Sequence, residues 1–490
     1  MSDACTGHTN PELGHGGGEA TPPQAPRRLT PLWALKANYC LGTGSGACLW
    51  KFMPVLYSSV GLKNPQIGLI QSLSPMANFC GQIGWAVLCD RLQSYKEVLA
   101  ISNVLGVATI CCCLLPVVNQ NFGVLCCVVL GSSAFMASRG SLSDSMTLQV
   151  VHDYQDARTL AEQQCQLRSF GSANDSFQLQ DAQDYQDART LAKQLGQTGS
   201  VRELPTYGEQ RLWGAVGKGF GSLLGGLLMD RLGIGCMFAT FSTLLALMVL
   251  VIVTQFPSRR PKKVSNVAQG PDPKSFLNFE VLWFFANLLV YGMCMSLVEN
   301  FLFLFLSREF QGVPNFLLGW TVLVMNMFEL PVFLYIHKAF ACFGLIRMLS
   351  FCHYVFALRC VLYSILPRAQ PITVLLVEPL HGITFAIMWS CSVEYGKRLA
   401  PEGATAKMQT LVTGLYSQLA IGCGSLLWGN LTQEPPKGFG FSTCYVAAAV
   451  AAVAWSLVWN LGWLLWRQGK PGESLLRSET GGETAGLSHP

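Results

Sequence analysis

A helix needs about 20 mostly apolar residues to cross the hydrocarbon of a bilayer, and this chain supplies that length again and again. Such stretches fall near residues 33–58, 66–88, 97–117, 122–146, 212–230, 235–255, 277–306, 313–336, 341–365, 371–393, 406–431 and 442–466. That makes twelve expected spans, with the seventh long enough to tilt or to project beyond the membrane. Only 12% of the 490 residues are charged and 51% are hydrophobic. Soluble domains carry roughly twice that charge, so a chain of this length could not coat the several soluble domains it would otherwise form. The expected fold class is an all-α polytopic membrane protein.

Lys and Arg in short loops set orientation. With the N-terminus in the cytosol, and the 147–211 loop left aside, seventeen basic residues fall inside and five outside, the five being Lys63, Arg231, Arg308, Arg368 and Lys437. Both termini are therefore expected to be cytosolic. Residues 1–31 and 467–490 read as disordered tails, the first without the apolar core of a signal peptide. The net charge of +5 is too small to suggest nucleic acid. The 19 cysteines sit mostly inside apolar stretches, as in Cys111–Cys113 and Cys126–Cys127, with no metal-ligand spacing; they read as small apolar residues buried among helices. No cofactor or metal site is expected.

The nonapeptide DYQDARTLA occurs at Asp153 and again at Asp184, in the long cytosolic loop between spans 4 and 5. Each copy is expected to form a short helix with Asp153 or Asp184 as N-cap. Two copies are too few for a solenoid. A tandem duplication in a loop that tolerates added length accounts for it; a regulatory docking element is the alternative.

A second repeat lies inside the membrane. GFGSLLGGLL (219–228) in span 5 aligns with GCGSLLWGNL (422–431) in span 11, seven of ten positions matching at an offset of 203 residues. Gly219, Gly221 and Gly226 thus pair with Gly422, Gly424 and Gly429, small residues that let helices approach closely. The chain then divides into a six-helix half over 32–256, a basic cytosolic linker over 257–275, and a second six-helix half over 276–466. Internal repeats of this kind mark transporters that work by alternating access.

Here a family resemblance enters. Twelve spans in two halves joined by a basic loop resemble the major facilitator superfamily. YGEQRLWGAVGKGFGSLLGG (207–226), FELPVF (328–333) and VEPLHGITFA (377–386) are similar to the fifth-, eighth- and tenth-helix segments of its lactose-permease-like and nucleoside–proton-symporter-like branch. RGSLSD (139–144) resembles the fourth-helix segment that supplies polar groups near the solute. The superfamily's loop 2–3 motif is degraded to LCDRL (88–92), leaving Asp90 and Arg91 as gate candidates. GLLMDRLG (226–233) fits that motif better but falls in the outer 5–6 loop, where Asp230 and Arg231 are the weaker candidates. In both places a helix end with a solvated charge pair is the alternative.

Ionisable groups inside a bilayer are costly and functional by default. In span 10, Glu378 and His381 share a helical face, and Pro379 is expected to bend the helix beside them. A buried carboxyl releases its proton less readily than a solvated one, and imidazole titrates near neutrality, so the two together could load and unload a proton. A hydrogen bond anchoring the bend is the alternative. Arg359 in span 9 needs an anion, for which Glu378 or Glu299 of span 7 could serve. Arg139 and Asp144 of span 4 are five residues apart and so expected on different faces. Asn38, Asn300, Asn326 and Glu329 complete the polar groups along a solute path, while His353 is a further buried polar group and Lys51 and Lys218 are expected to snorkel to the membrane surface.

The expected function is a secondary transporter, coupled to protons through Glu378, His381, Arg359 and Glu299. By the resemblance it carries a small polar organic solute, sugar- or nucleoside-like, and acts as a monomer in the lipid bilayer. A transporter-like receptor or scaffold and an uncoupled facilitator are the alternatives. No catalytic constellation or Walker string is present, so an enzyme is not expected.

Overall fold

Every one of the twelve expected spans falls on helix in the computed structural model, which describes residues 29–92, 94–170, 207–257, 278–401 and 404–468. No strand occurs among the described residues. Among the described residues, ten helices are long and apolar enough to cross a bilayer. Spans 1 and 2 fall short of that measure for a physical reason. Span 1 breaks at Trp50–Lys51 between helices Leu32–Leu49 and Met53–Ser59. Span 2, Asn64–Leu92, carries Gln66, Gln71, Ser72, Asn78 and Gln82 along its length. Polar residues on such a helix are affordable only where other helices cover them.

Other boundaries depart from expectation. Span 4 is two helices, Phe122–Phe135 and Ser138–Phe170, and the second runs on well past residue 146. Asp153 therefore lies within a helix rather than at an N-cap, because the preceding turns are already helical. The second copy of the nonapeptide lies outside the described residues, as do the two tails and the basic linker. Spans 5 to 9 are single helices, Tyr207–Leu232, Cys236–Gln255, Phe279–Glu309, Asn315–Phe343 and Leu345–Ile365. Span 10 opens with a 3₁₀ turn, Pro371–Leu376, followed by helix Glu378–Leu399. Pro379 thus starts that helix instead of bending it, as a first-turn proline can because its missing N–H has no partner to lose there. Span 11 joins Thr405–Thr413 to Ile421–Leu431 through a π-helical segment, Gly414–Ala420. Span 12 is Gly440–Gln468.

By contacts, residues 30–152 and 205–490 form one unit, and 1–29 with 153–204 form another. Of the latter, the described part beyond Leu29 is the helical 153–170.

The glycine repeat explains how the first unit is built. Gly219 meets Leu323 and Asn326 of span 8, and Gly226 meets Asn315 and Phe316 of the same helix. Their counterparts 203 residues on do the same to span 2: Gly422 meets Ser72 and Met76, and Gly429 meets Gly68 and Asn64. The middle members turn inward, Gly221 onto Gly44 of span 1 and Gly424 onto Met293 and Ser296 of span 7. Spans 5 and 8 thus mirror spans 11 and 2, and spans 1 and 5 mirror spans 7 and 11. This is a pseudo-twofold relation between two halves, written in close contacts that a side chain at the glycine would crowd. Lipid is as apolar as Leu, so such close packing, not water exclusion, holds helices together here. Large apolar side chains such as Leu334, Ile365, Val450 and Leu457 are exposed on the exterior, as a lipid-facing surface requires. The protein is an integral, multi-pass membrane protein.

Candidate site at the interface of the two halves

The inter-half hydrogen bonds gather at the distal end, where spans 1, 5, 7 and 11 finish and spans 2, 8 and 12 begin. Asp230, at the end of span 5, accepts the backbone N–H groups of Asn315 and Phe316, both at 2.8 Å, and Asn315 Nδ2 at 3.0 Å. It caps span 8, where the helix dipole favours an anion. The pseudo-equivalent place is neutral: Asn64 Nδ2 donates to Thr432 O at 2.9 Å and to its hydroxyl at 3.2 Å. Arg308, which the sequence offers only as an outer-loop base, donates to Ser58 Oγ (2.9 Å), Leu62 O (3.1 Å) and Asn64 Oδ1. Arg231 and Arg91 are exposed. The side chain of Asp90 lies outside the described residues.

Deeper in the interface the ionisable groups form a chain. Lys51, in the break of span 1, pairs with Glu299 Oε2 of span 7. It turns inward to that carboxylate instead of snorkelling outward. The other oxygen, Glu299 Oε1, is 3.0 Å from His381 Nε2. His381 Nδ1 is 3.5 Å from Glu378 Oε2, within ion-pair range but not aligned as a hydrogen bond. Glu378 Oε1 then accepts the hydroxyl of Tyr363 at 2.9 Å. The side chains of Lys51 and Glu299 keep 24% and 21% of their exposure, whereas Glu378 keeps 1%. The chain therefore runs from a half-wet interface into a dry interior. Lys51, Glu299, Glu378 and His381 border one pocket, with Phe303 and Met325 among its apolar walls.

Arg359 stands apart from both carboxylates. It is fully buried, gives its N–H groups to Thr384 Oγ1 and Met295 Sδ, both at 3.1 Å, and lies over the Phe356 ring. Its guanidinium is held by a hydroxyl, a thioether and a π face, and no carboxylate is within ion-pair distance among the described residues.

The solute-path candidates divide. Arg139 Nη1 reaches Ser45 Oγ at 3.4 Å and Asp144 Oδ1 accepts the Tyr39 hydroxyl at 2.7 Å. Both side chains turn to span 1 despite their spacing, because two positions of that helix six residues apart receive them. Asn300 Nδ2 bonds Ser425 Oγ at 2.6 Å, joining spans 7 and 11 within one half. Asn326 is buried with neither amide atom bonded, and Glu329 Oε2 and Asn38 Oδ1 are likewise without partners among the described residues. Lys218 lies over the Phe385 ring of span 10 at 5.5 Å instead of snorkelling. His353 bonds Leu349 O at 2.7 Å, one turn back on its own helix.

Tyr363, Thr384 and Lys51 were not legible as partners of the charged groups. Each lies in an apolar or aromatic run whose helical phase relative to its neighbours is set only by packing. The cysteines are mixed: Cys352, Cys360 and Cys391 are buried, whereas Cys80, Cys127, Cys342 and Cys423 are exposed, and all those described are free.

The described residues form a helical membrane bundle of two halves, with the Lys51–Glu299 pair at the interface between them. The chain belongs to the MFS_1 like family of the major facilitator superfamily, which it matches over residues 32–174 and 187–441. It is 26% identical over 254 residues to a maltose permease of Geobacillus stearothermophilus, an alignment that covers 50% of this chain and 61% of that one. The chain thus matches about three-fifths of that relative's length. Its fold resembles the nucleoside transporter NupG, with a TM-score of 0.66 at 14% identity over 88% of this chain and 98% of that one. It also resembles a bacterial homolog of the human lysosomal transporter Spinster, in an inward-facing and occupied conformation (TM-score 0.59, 13% identity, 88% and 96% covered).

Proposed function

We propose that the protein is a proton-coupled secondary transporter for a small polar organic solute, sugar- or nucleoside-like, working by alternating access. The observation that carries the reading is the chain Lys51–Glu299–His381–Glu378–Tyr363, which spans both halves. Each of its charges costs roughly 3 kcal/mol within a bilayer, and a purely structural interface could use apolar residues instead. A proton moving along it changes the charge on Glu299, and with it the strength of the ion pair that ties span 1 to span 7. Proton loading and the opening of the interface are then one event. The unpartnered Asn326, Glu329 and Asn38, with Arg139 and Asp144 on the opposite half, supply hydrogen-bonding groups for a polar solute.

The basic loops put both termini in the cytosol, so the distal end faces outward. Its latches, Asp230 to Asn315 and Asn64 to Thr432, join the two halves on that side. The relatives named maltose permease and nucleoside transporter support the solute class.

The test uses the full chain in sealed vesicles, with internal pH recorded while maltose, uridine and a panel of other sugars, nucleosides and small organic acids are added. A solute-triggered proton flux that disappears in Glu378→Gln is the expected result. If no solute moves protons but labelled solute still enters, coupling is wrong and a facilitator remains. If neither occurs, transport itself is overturned.

A further inference from the structure

Glu378 uses its two carboxylate oxygens differently. Oε1 accepts a hydrogen bond from Tyr363, while Oε2 stops 3.5 Å from His381 Nδ1 without alignment. Tyr363 reaches it from span 9, fully buried, with its ring against Tyr445 of span 12 at 5.4 Å between centroids. The other ionisable or polar groups around this carboxyl are engaged elsewhere or offer it nothing. Arg359, one turn before Tyr363, bonds Thr384 and Met295. Glu299 lies beyond His381 on span 7. The Tyr445 hydroxyl makes no hydrogen bond among the described residues. The phenol of Tyr363 is thus the single aligned donor to Glu378 among the described residues.

We propose that Tyr363 is a positioning residue of the coupling chain. It holds Oε1 so that Oε2 faces His381 yet stays outside hydrogen-bond contact, and a small rotation of the carboxyl makes or breaks the link. The inference rests on the proton-coupled reading above. The step balances simply. His381 in its Nε2–H form donates to Glu299 Oε1, so Nδ1 carries a lone pair; the proton leaves Glu378 Oε2–H for Nδ1, giving carboxylate and imidazolium. A phenol suits both states, because it donates to Oε1 both in the carboxylate and in the acid, where Oε1 is the carbonyl oxygen. It does so without adding another charge to an apolar interior, which Lys or Arg would. Without it, the carboxyl is free to turn onto His381 and stay there as a fixed pair.

The test is infrared difference spectroscopy of the purified full chain in lipid as the bath is acidified. A carboxylic-acid C=O band that is lost in Glu378→Gln belongs to Glu378. In Tyr363→Phe that band should move to higher frequency, as a carbonyl does on losing a donor. Tyr445→Phe, which removes only the hydroxyl of the neighbouring ring, should leave it in place. In vesicles with labelled uridine and maltose, Tyr363→Phe should keep solute exchange while proton-driven accumulation falls about tenfold, the worth of a hydrogen bond to a charged group. A band unmoved in Tyr363→Phe, equal shifts in both variants, or no band assignable to Glu378 would each overturn the proposal. Failure of the transport reading is seen separately, in the wild-type flux alone.

Discussion

Asp230 and Asn315 meet across the two halves, the carboxylate taking both the backbone N–H of Asn315, at 2.8 Å, and its side-chain amide. An anion at a helix start replaces hydrogen bonds that the first turn cannot make for itself. The same carboxylate also bonds Phe316 N, so three donors of span 8 depend on one residue of span 5. Losing a cap costs about 1 kcal/mol, or roughly a fivefold change in an equilibrium. Asp230→Ala should therefore shift the population toward a distal-open state by about that factor. Spin labels at the exposed Lys63 and Lys437 would report it as a longer-distance component. An unchanged distribution would show that the latch does not bear on the conformational equilibrium.

The glycine pairs make a sharper prediction because they occur twice. Gly226→Leu and Gly429→Leu each drive a side chain into the backbone of the opposite half, an overpacking worth about 1–3 kcal/mol. Both should lower the melting temperature in detergent and weaken distal closure alike. Gly84→Leu, at a position with open space around it, should lie within about 0.5 kcal/mol of wild type. Unequal effects at 226 and 429 would argue against the pseudo-twofold relation.

Lys51 and Glu299 should behave as a pair. Removing one partner strands the other charge in the interface, so Lys51→Met and Glu299→Gln should each destabilise the protein. The double variant should recover much of the loss, with a coupling energy on the order of 1–3 kcal/mol from thermal unfolding. Proton-driven accumulation should stay low in all three, since the chain is cut in each. Strict additivity in the cycle would count against the ion pair.

Asn300 and Asn326 look alike in the sequence and differ in the fold. Asn300→Ala should cost about 0.6 kcal/mol, the average for a hydrogen bond between membrane helices, because it loses Ser425. Its solute affinity should be unchanged. Asn326→Ala removes no hydrogen bond among the described residues, so stability should hold while the affinity for whichever panel solute is moved falls. A reversed pattern would exchange their roles.

The twelve apolar stretches, the pairing of spans 5 and 11, and the presence of Glu378 and His381 on one face were all readable along the chain. Each depends on local spacing: a bilayer's thickness fixes span length, and helical periodicity fixes which neighbours share a face. The glycines were also legible as close-approach points, though not what they approach. Tertiary packing decided the partners. Arg359 pairs with Thr384 and Met295 and not with a carboxylate, Lys51 turns inward to Glu299, and Tyr363 reaches Glu378, because these contacts join helices far apart in the sequence. Helical phase, tilt and the break at Trp50–Lys51 set which side chains converge, and those quantities are fixed by neighbouring helices, not by the segment that carries the residue. The sequence could supply the groups that bear charge in the membrane; only the assembled bundle could string them into a chain.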